Sequence, residues 1–362
     1  MTTPEASARR DALAQRVFES VIGAMELGGI YLGDRLGLYA ALRRLGGATA
    51  AELAAATGTH ERYVREWLEQ QAVAGVLDAS GETDASARRY TLPDGHDDVL
   101  LDPEHLSHLV PTVRFVIGSL PLAPRLVEAF RTGEGVPWSA YGADGIEGQA
   151  GQNRPVFLKQ LGREWLPAIP DLHARLLADP PARVADVACG GGWSSIGIAR
   201  AYPKVRVDGF DLDESSIALA AEHVKAAGLA DRVSMAVRDA GDPSLSGRYD
   251  LVTIFEALHD MSQPVAVLAK ARSLLAPGGS VLVMDERVAE RFTAPGDPIE
   301  RLMYGFSILC CLPVGLADRP SEGTGTVMRP ATLDAYARRA GFARSEVLPI
   351  EHEMFRFYRL TP

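Results

Sequence analysis

From residue 181 onward the chain alternates short apolar runs with amphipathic stretches. The runs predict strands at 183–188, 205–210, 232–237, 250–255, 280–285, 344–349 and 353–359. A helical period marks 193–202, 214–228, 263–275 and 331–340. Strands alternating with helices in this way build a doubly wound α/β sheet. The last two strands are joined only by Pro349 to Glu351, which predicts an antiparallel pair. An extra helical segment, about 297–312, interrupts the alternation after the fifth strand.

The pattern before residue 181 is different. Residues 1–20 read as a polar leader into a helix. Leu36 to Leu45 reads as a helix ended by Gly46 and Gly47. Thr49 and Glu52 form a capping box for a short alanine-rich helix that Gly58 ends. Thr59 is expected to cap a third helix carrying Val64, Trp67, Leu68 and Val73 on one face. A hairpin follows, from Val76–Asp78 to Arg89–Leu92. Three helices and a hairpin make a winged helix-turn-helix, so the first expected domain is 1–105. A mainly helical linker, 106–180, joins it to a domain at 181–362. Within the linker, 133–151 holds six glycines with Trp138 and Tyr141, a composition that suits a mobile lid or an ordinary surface loop.

The chemistry concentrates at the first strand of the sheet. Val184, Val187 and Ala188 form its apolar run, and Gly190, Gly191 and Gly192 follow as a turn with no side chains to block a ligand. Asp211 stands at the carboxyl end of the next strand, where it can accept hydrogen bonds from two ribose hydroxyls. Together these predict a nucleoside pocket. A dinucleotide would need a third glycine where Ser195 stands, and Trp193 crowds the helix start that would hold its pyrophosphate. Phe255-Glu256-Ala257-Leu258-His259-Asp260-Met261 leaves the fourth strand at its carboxyl end and puts His259 on the ligand rim. A histidine there suits a general base, and also an ordinary rim residue.

Composition narrows the partners. The chain has 362 residues, a formal net charge of −10 and 47% hydrophobic residues. Residues 21–105 carry seven arginines, no lysine and fourteen acidic residues, a net of −7. Arg62 and Arg65 on the third helix are outnumbered by Glu61, Glu66 and Glu69. Phosphate neutralisation dominates DNA affinity, so nucleic acid is an unexpected partner. The expected role of the front domain is dimerisation and substrate shaping, with a winged-helix transcription regulator as the competing reading. No signal-peptide core and no apolar run of membrane length stand out, so the expected compartment is the cytoplasm and no membrane partner is expected. Cys189, Cys310 and Cys311 cannot make a disulfide framework. His96, His105 and His108 are too loosely spaced for a metal site, and none is expected.

Asp186 before the glycines gives Asp-x-x-x-Gly-x-Gly, which resembles the first motif of class I S-adenosylmethionine-dependent methyltransferases. His259-Asp260-Met261 and the run to Val283 resemble small-molecule O-methyltransferases. Tyr31–Tyr39, Glu61–Leu68 and Tyr304–Ser307 resemble actinobacterial methyltransferases of unassigned substrate. The resemblance implies an α/β fold, with a seven-stranded doubly wound (Rossmann-like) methyltransferase sheet preceded by a helical winged-helix domain. It implies S-adenosyl-L-methionine as cofactor, a small-molecule acceptor methylated at a hydroxyl oxygen, and a homodimer through the N-terminal domain. N- or S-methylation by positioning alone is the alternative. For the cofactor it implies Asp186 near the methionine ammonium, Gly190, Gly191 and Gly192, Asp211 on the ribose, Leu212, Asp239 and Ala240 at the adenine, and Phe255. For catalysis it implies His259 as base, oriented by Asp285. The family's second orienting acid falls on Met328, before Arg329. Met303, Tyr304, Ser307 and Ile308 in the extra segment are the expected substrate contacts.

Overall fold

The alternation after residue 181 becomes one seven-stranded sheet in the computed structural model, which describes residues 3–362. The chain divides into two compact units, one ending at Ile117 and one beginning at Gly118.

The first unit opens with α1 (Pro4–Arg35), so the expected polar leader is helical from its fourth residue; Met1 and Thr2 lie outside the described residues. Thr3 accepts from the Ala6 amide at 3.2 Å and starts the helix. Gly37, at φ 67°, separates α1 from α2 (Leu38–Leu45), which is why the second helix begins two residues later than its apolar pattern. The Thr49–Glu52 capping box opens α3 (Ala50–Thr57). His60, not Thr59, caps α4 (Glu61–Val73), its ring accepting from the Arg62 amide at 3.2 Å. β1 (Asp78–Ala79) and β2 (Tyr90–Thr91) form the hairpin, and α5 (His96–Leu100) follows. Tyr39, Leu53, Trp67, Leu68 and Tyr90 are among the side chains of its core. The Trp67 indole donates to the Gly29 carbonyl at 2.8 Å, and a side chain at Gly33 would collide with Tyr39 and Trp67.

Helices α6 (Val110–Ser119), α7 (Ala123–Thr132), α8 (Gly142–Val156) and α9 (Pro170–Leu177) precede the sheet, and α8 runs on into a π-helical stretch, Phe157–Trp165. More than half of the glycine-rich 133–151 segment is therefore helix. Val110–Thr132 is long and apolar enough to cross a membrane by length and composition, contrary to the sequence expectation. It also carries Arg114, paired with Asp34 at 2.6 Å, together with Arg125, Glu128 and Arg131. Four charges are costly within a bilayer span.

The sheet order is β5 (Val233–Val237), β4 (Arg206–Asp211), β3 (Arg183–Val187), β6 (Tyr249–Phe255), β7 (Leu275–Glu286), β9 (Phe355–Thr361) and β8 (Arg344–Val347). The first five are parallel; β9 is antiparallel to both β7 and β8, as the short connection predicts. The intervening helices are α10 (Trp193–Ala201), α11 (Glu214–Ala226), α12 (Pro264–Ser273), α13 (Pro298–Phe306), α14 (Leu312–Gly315) and α15 (Pro330–Arg339). Both faces are covered, so Val184, Leu251, Leu282 and Met284 pack on one side and Val187, Ile254, Val281 and Val283 on the other. Strand order reverses between β3 and β6, and such a switch point leaves a crevice at the carboxyl ends of the strands.

Candidate active site

The glycine turn leaves β3 at that crevice. Gly190 and Gly192 take φ values of 48° and 77°, which a side chain disfavours. A Cβ on Gly190 would meet nothing within 4 Å, so that face is open, whereas one on Gly191 would stand 2.7 Å from the Ala150 Cβ of α8. Trp193 begins α10, with the His223 ring stacked at 4.2 Å and the Arg154 guanidinium 4.3 Å from its centroid. Asp211 accepts from the Gly190 amide through Oδ2 and from the Asp213 amide through Oδ1, both at 2.9 Å. It therefore ties the turn to the end of β4. Burial pushes its carboxyl upward, against those two amides.

Other expected cofactor residues are distributed unevenly. Asp186 is buried at the end of β3, just before the turn. Its Oδ2 accepts from the Ser194 and Ser195 hydroxyls at 2.6 Å each, and its Oδ1 accepts from Thr253 at 2.7 Å. The residue is 1% exposed, and the three hydroxyls that donate to it come from the start of α10 and from β6, so it braces the turn against both. Phe255 is buried against Phe157, ring centroids 5.7 Å apart, and belongs to the core. Leu212 is exposed beside Asp211. Asp239 is exposed and accepts from the Gly241 amide at 2.7 Å; Ala240 is partly buried against the sheet core.

A second cluster lies beyond β6 and β7. His259, 3% exposed, bonds through Nδ1 to Asp285 Oδ1 at 2.9 Å. Burial alone would lower the imidazole, but the Asp285 carboxylate raises it well above its ordinary value. Asp285 Oδ2 is buried without a hydrogen-bond partner. Burial likewise raises Asp260, to about 6. Met328, standing where the second acid was expected, is 1% exposed and packs in the core; Arg329 next to it holds Glu300 at 2.7 Å.

Three residues of this cluster were not anticipated. Glu256, at φ 49°, turns its carboxyl to Glu286 and to the Asn153 amide of α8. Glu286 is 5% exposed, and its Oε2 has no partner. The adjacent acids Asp285-Glu286 at a strand end were a readable signal, because alternation sends one to each face of the sheet. Asn153 arrives from 103 positions away and left no such signal.

In the extra segment, Met303 and Ser307 are buried, while Tyr304 and Ile308 on the neighbouring face are exposed. The side chain of the segment that reaches His259 is the Cys311 thiol, in the π-helical turn Ser307–Cys311. Among the described residues no three His, Cys, Asp or Glu side chains are grouped as a metal ion would need.

An open glycine face beside an acid, and unpartnered carboxylate oxygens nearby, fit a nucleoside with a cationic end. Residues 184–279 match the family "Methyltransferase domain", and 23–101 match "Rv2258c-like winged HTH domain". A mitomycin biosynthesis 6-O-methyltransferase of Streptomyces lavendulae is 27% identical over 80% of this chain and 82% of its own length. A ubiquinone biosynthesis O-methyltransferase of Aromatoleum aromaticum is 29% identical over 47% of this chain and 68% of its own. Several other ubiquinone-pathway relatives are matched over two thirds of their length or less. The structure of human N-acetylserotonin methyltransferase in complex with S-adenosylmethionine superposes with a TM-score of 0.71 at 17% identity, covering 100% of this chain and 99% of that one. The chain therefore carries a winged helix-turn-helix domain ahead of a methyltransferase domain and is an S-adenosylmethionine-dependent methyltransferase.

Proposed function

We propose that this methyltransferase acts on a hydroxyl oxygen of a small molecule, with His259 as the base that takes the hydroxyl proton. The carrying observation is the buried His259–Asp285 pair at the carboxyl end of the sheet, 2.9 Å apart. The O-methyltransferase names of the two bacterial relatives support the choice of oxygen.

S-adenosylmethionine supplies a methyl group already activated by the sulfonium charge. The chain must hold the acceptor in line with that methyl and remove its proton. Gly190 to Gly192 leave room for the cofactor, and Asp211 would accept from its ribose hydroxyls. Leu212, Asp239 and Ala240 follow β4 and β5, where the adenine would lie. Asp285 holds Nδ1 of His259 and so directs Nε2 away from itself, to the side where the Cys311 thiol meets the ring; in the neutral ring Nε2 can accept a proton. Met303, Tyr304, Ser307 and Ile308 would shape the acceptor side, and the enzyme would work as a homodimer through its N-terminal unit.

The experiment is His259→Ala, assayed for S-adenosylhomocysteine production with hydroxyl acceptors. Turnover should fall about 10²- to 10⁴-fold with cofactor affinity retained in calorimetry. Wild-type turnover in the variant removes the base and favours an acceptor methylated by positioning alone.

A further inference from the structure

The Glu256–Glu286 pair has no part in the reaction as derived so far. Two carboxyl groups within hydrogen-bonding reach of each other, Glu286 buried and Glu256 half-buried, resist being ionised together. One proton must lie between them. Glu286 Oε2 is left over, 95% of the residue's surface being buried and that oxygen unpartnered. A structural carboxyl pair would be expected to satisfy all its oxygens. An orphaned acceptor at the edge of a crevice points to a donor that arrives from outside.

The pair is placed to meet the cofactor. β3 and β6 are neighbours, with Val187 opposite Ile254, so Glu256 stands level with Cys189, one residue before the glycines. Adjacent strands lie about 4.8 Å apart. Helix α8 bridges the same gap: Ala150 presses on Gly191, and Asn153, one turn later, holds Glu256. The charged surroundings of the pair are His259 from the loop after β6 and Asp285 from β7, and these are bonded to each other. From α8 come the neutral Asn153 and, beside it, Arg154 stacked over Trp193. The extra segment contributes Cys311, which faces His259. Among the described residues, no arginine or lysine is paired with either glutamate.

We propose that Glu256 and Glu286 receive the positively charged end of S-adenosylmethionine, and that the proton they share leaves when the cofactor binds. This rests on the methyltransferase reading and deepens it. The cofactor carries an ammonium and a sulfonium against one carboxylate. The demethylated product has lost the sulfonium, so it offers one positive charge fewer. Cofactor binding then releases protons, and product binding releases fewer. The pair would favour the charged ligand over the neutral one and recover its proton as the product forms. Burial raises both carboxyls, and the proton belongs to the pair as a unit. Because binding releases a proton, cofactor affinity rises with pH, by up to about tenfold per pH unit while the free pair still holds that proton.

The test is calorimetric titration of the full-length protein with S-adenosylmethionine and with S-adenosylhomocysteine, in phosphate and in Tris. The difference in heat between the buffers counts protons. We expect the wild type to release a large fraction of one proton to the cofactor and less to the product. Glu286→Gln, with its fold checked by thermal melting, should release none, and its affinity should be flat between pH 6 and 8. Glu256→Gln provides the same reading from the other partner. Cofactor binding with no proton release overturns the proposal and leaves the methyltransferase reading standing. Release that survives in both Gln variants but disappears in His259→Gln assigns the proton to the histidine and also overturns it. Absence of any cofactor binding overturns both.

Discussion

At the scale of single residues, Asp285 decides at what pH His259, the proposed base, gives up its proton. Its carboxylate stabilises the imidazolium and raises the histidine well above its ordinary value, despite the opposing effect of burial. The neutral ring therefore forms only as the pH climbs, and kcat should rise with pH. Asp285→Asn removes that charge. The rising limb should move to lower pH, while the maximal rate falls about 10- to 100-fold because the ring is less firmly oriented. A pH profile of kcat from 6 to 10 for both proteins measures this, and an unmoved limb would show that the carboxylate does not govern the histidine. The His259–Asp285 contact was expected from the resemblance to O-methyltransferases, and it forms because both residues end neighbouring strands; the bond from the Gly190 amide to Asp211 was not expected. The same holds for Asp186: its serine partners look like ordinary helix-start residues until α10 turns both hydroxyls onto its carboxylate. Phe255 precedes the rim by one residue, yet strand alternation sends it into the core against Phe157.

Elements tell a similar story. Strands buried on both faces write continuous apolar runs, so every strand of the large sheet was readable to within a few residues, apart from the five-residue earlier start of β7 at Leu275. Glycine content misled at 133–151, because Gly145 and Gly148 are buried positions within a helix, and a side chain at Gly118 would press on Asp144 and Gly145. The first helix misled in the opposite direction. Its charged residues suggested a leader, but Leu13, Val17, Phe18, Val21, Ile22 and Met25 fall on one face at helical spacing and are all exposed. Six large apolar side chains along one side of a helix about 48 Å long are an unusual surface for a monomer. A second copy of this chain is the proposed cover, consistent with the expected homodimer. Phe18→Glu combined with Val21→Glu should convert the proposed dimer to a species of 38.8 kDa in multi-angle light scattering. Helical content and melting should change little, since neither side chain enters the core of its unit. A wild type of 38.8 kDa at micromolar concentration would remove the dimer.

For the whole molecule, the question is whether the winged helix reads DNA or serves the enzyme. A fold of that kind presents one helix to the major groove, and α4 is the candidate here. Its two arginines are already engaged on the helix itself, Arg62 with Glu66 at 2.5 Å and Arg65 with Glu61 one turn away. Exposed pairs of this sort are individually weak, so phosphates could compete for them. The decisive term is the field they sit in. Residues 21–105 have a net charge of −7 and the chain −10, so approach to a polyanion is repelled before any contact forms. Non-specific DNA binders owe their affinity, about 10⁻⁴ to 10⁻⁶ M in Kd at physiological salt, to the opposite charge balance. The expected outcome is no mobility shift of a 30-bp duplex (about three turns) by 10 μM protein in 150 mM salt, and none at 50 mM, where a basic reader would gain orders of magnitude. A shift at submicromolar protein that weakens steeply with salt would show that phosphate contacts overcome the charge, and would return the front domain to a regulatory role. The absence of a shift leaves this domain the task its apolar first helix suggests, holding two catalytic sheets in one particle.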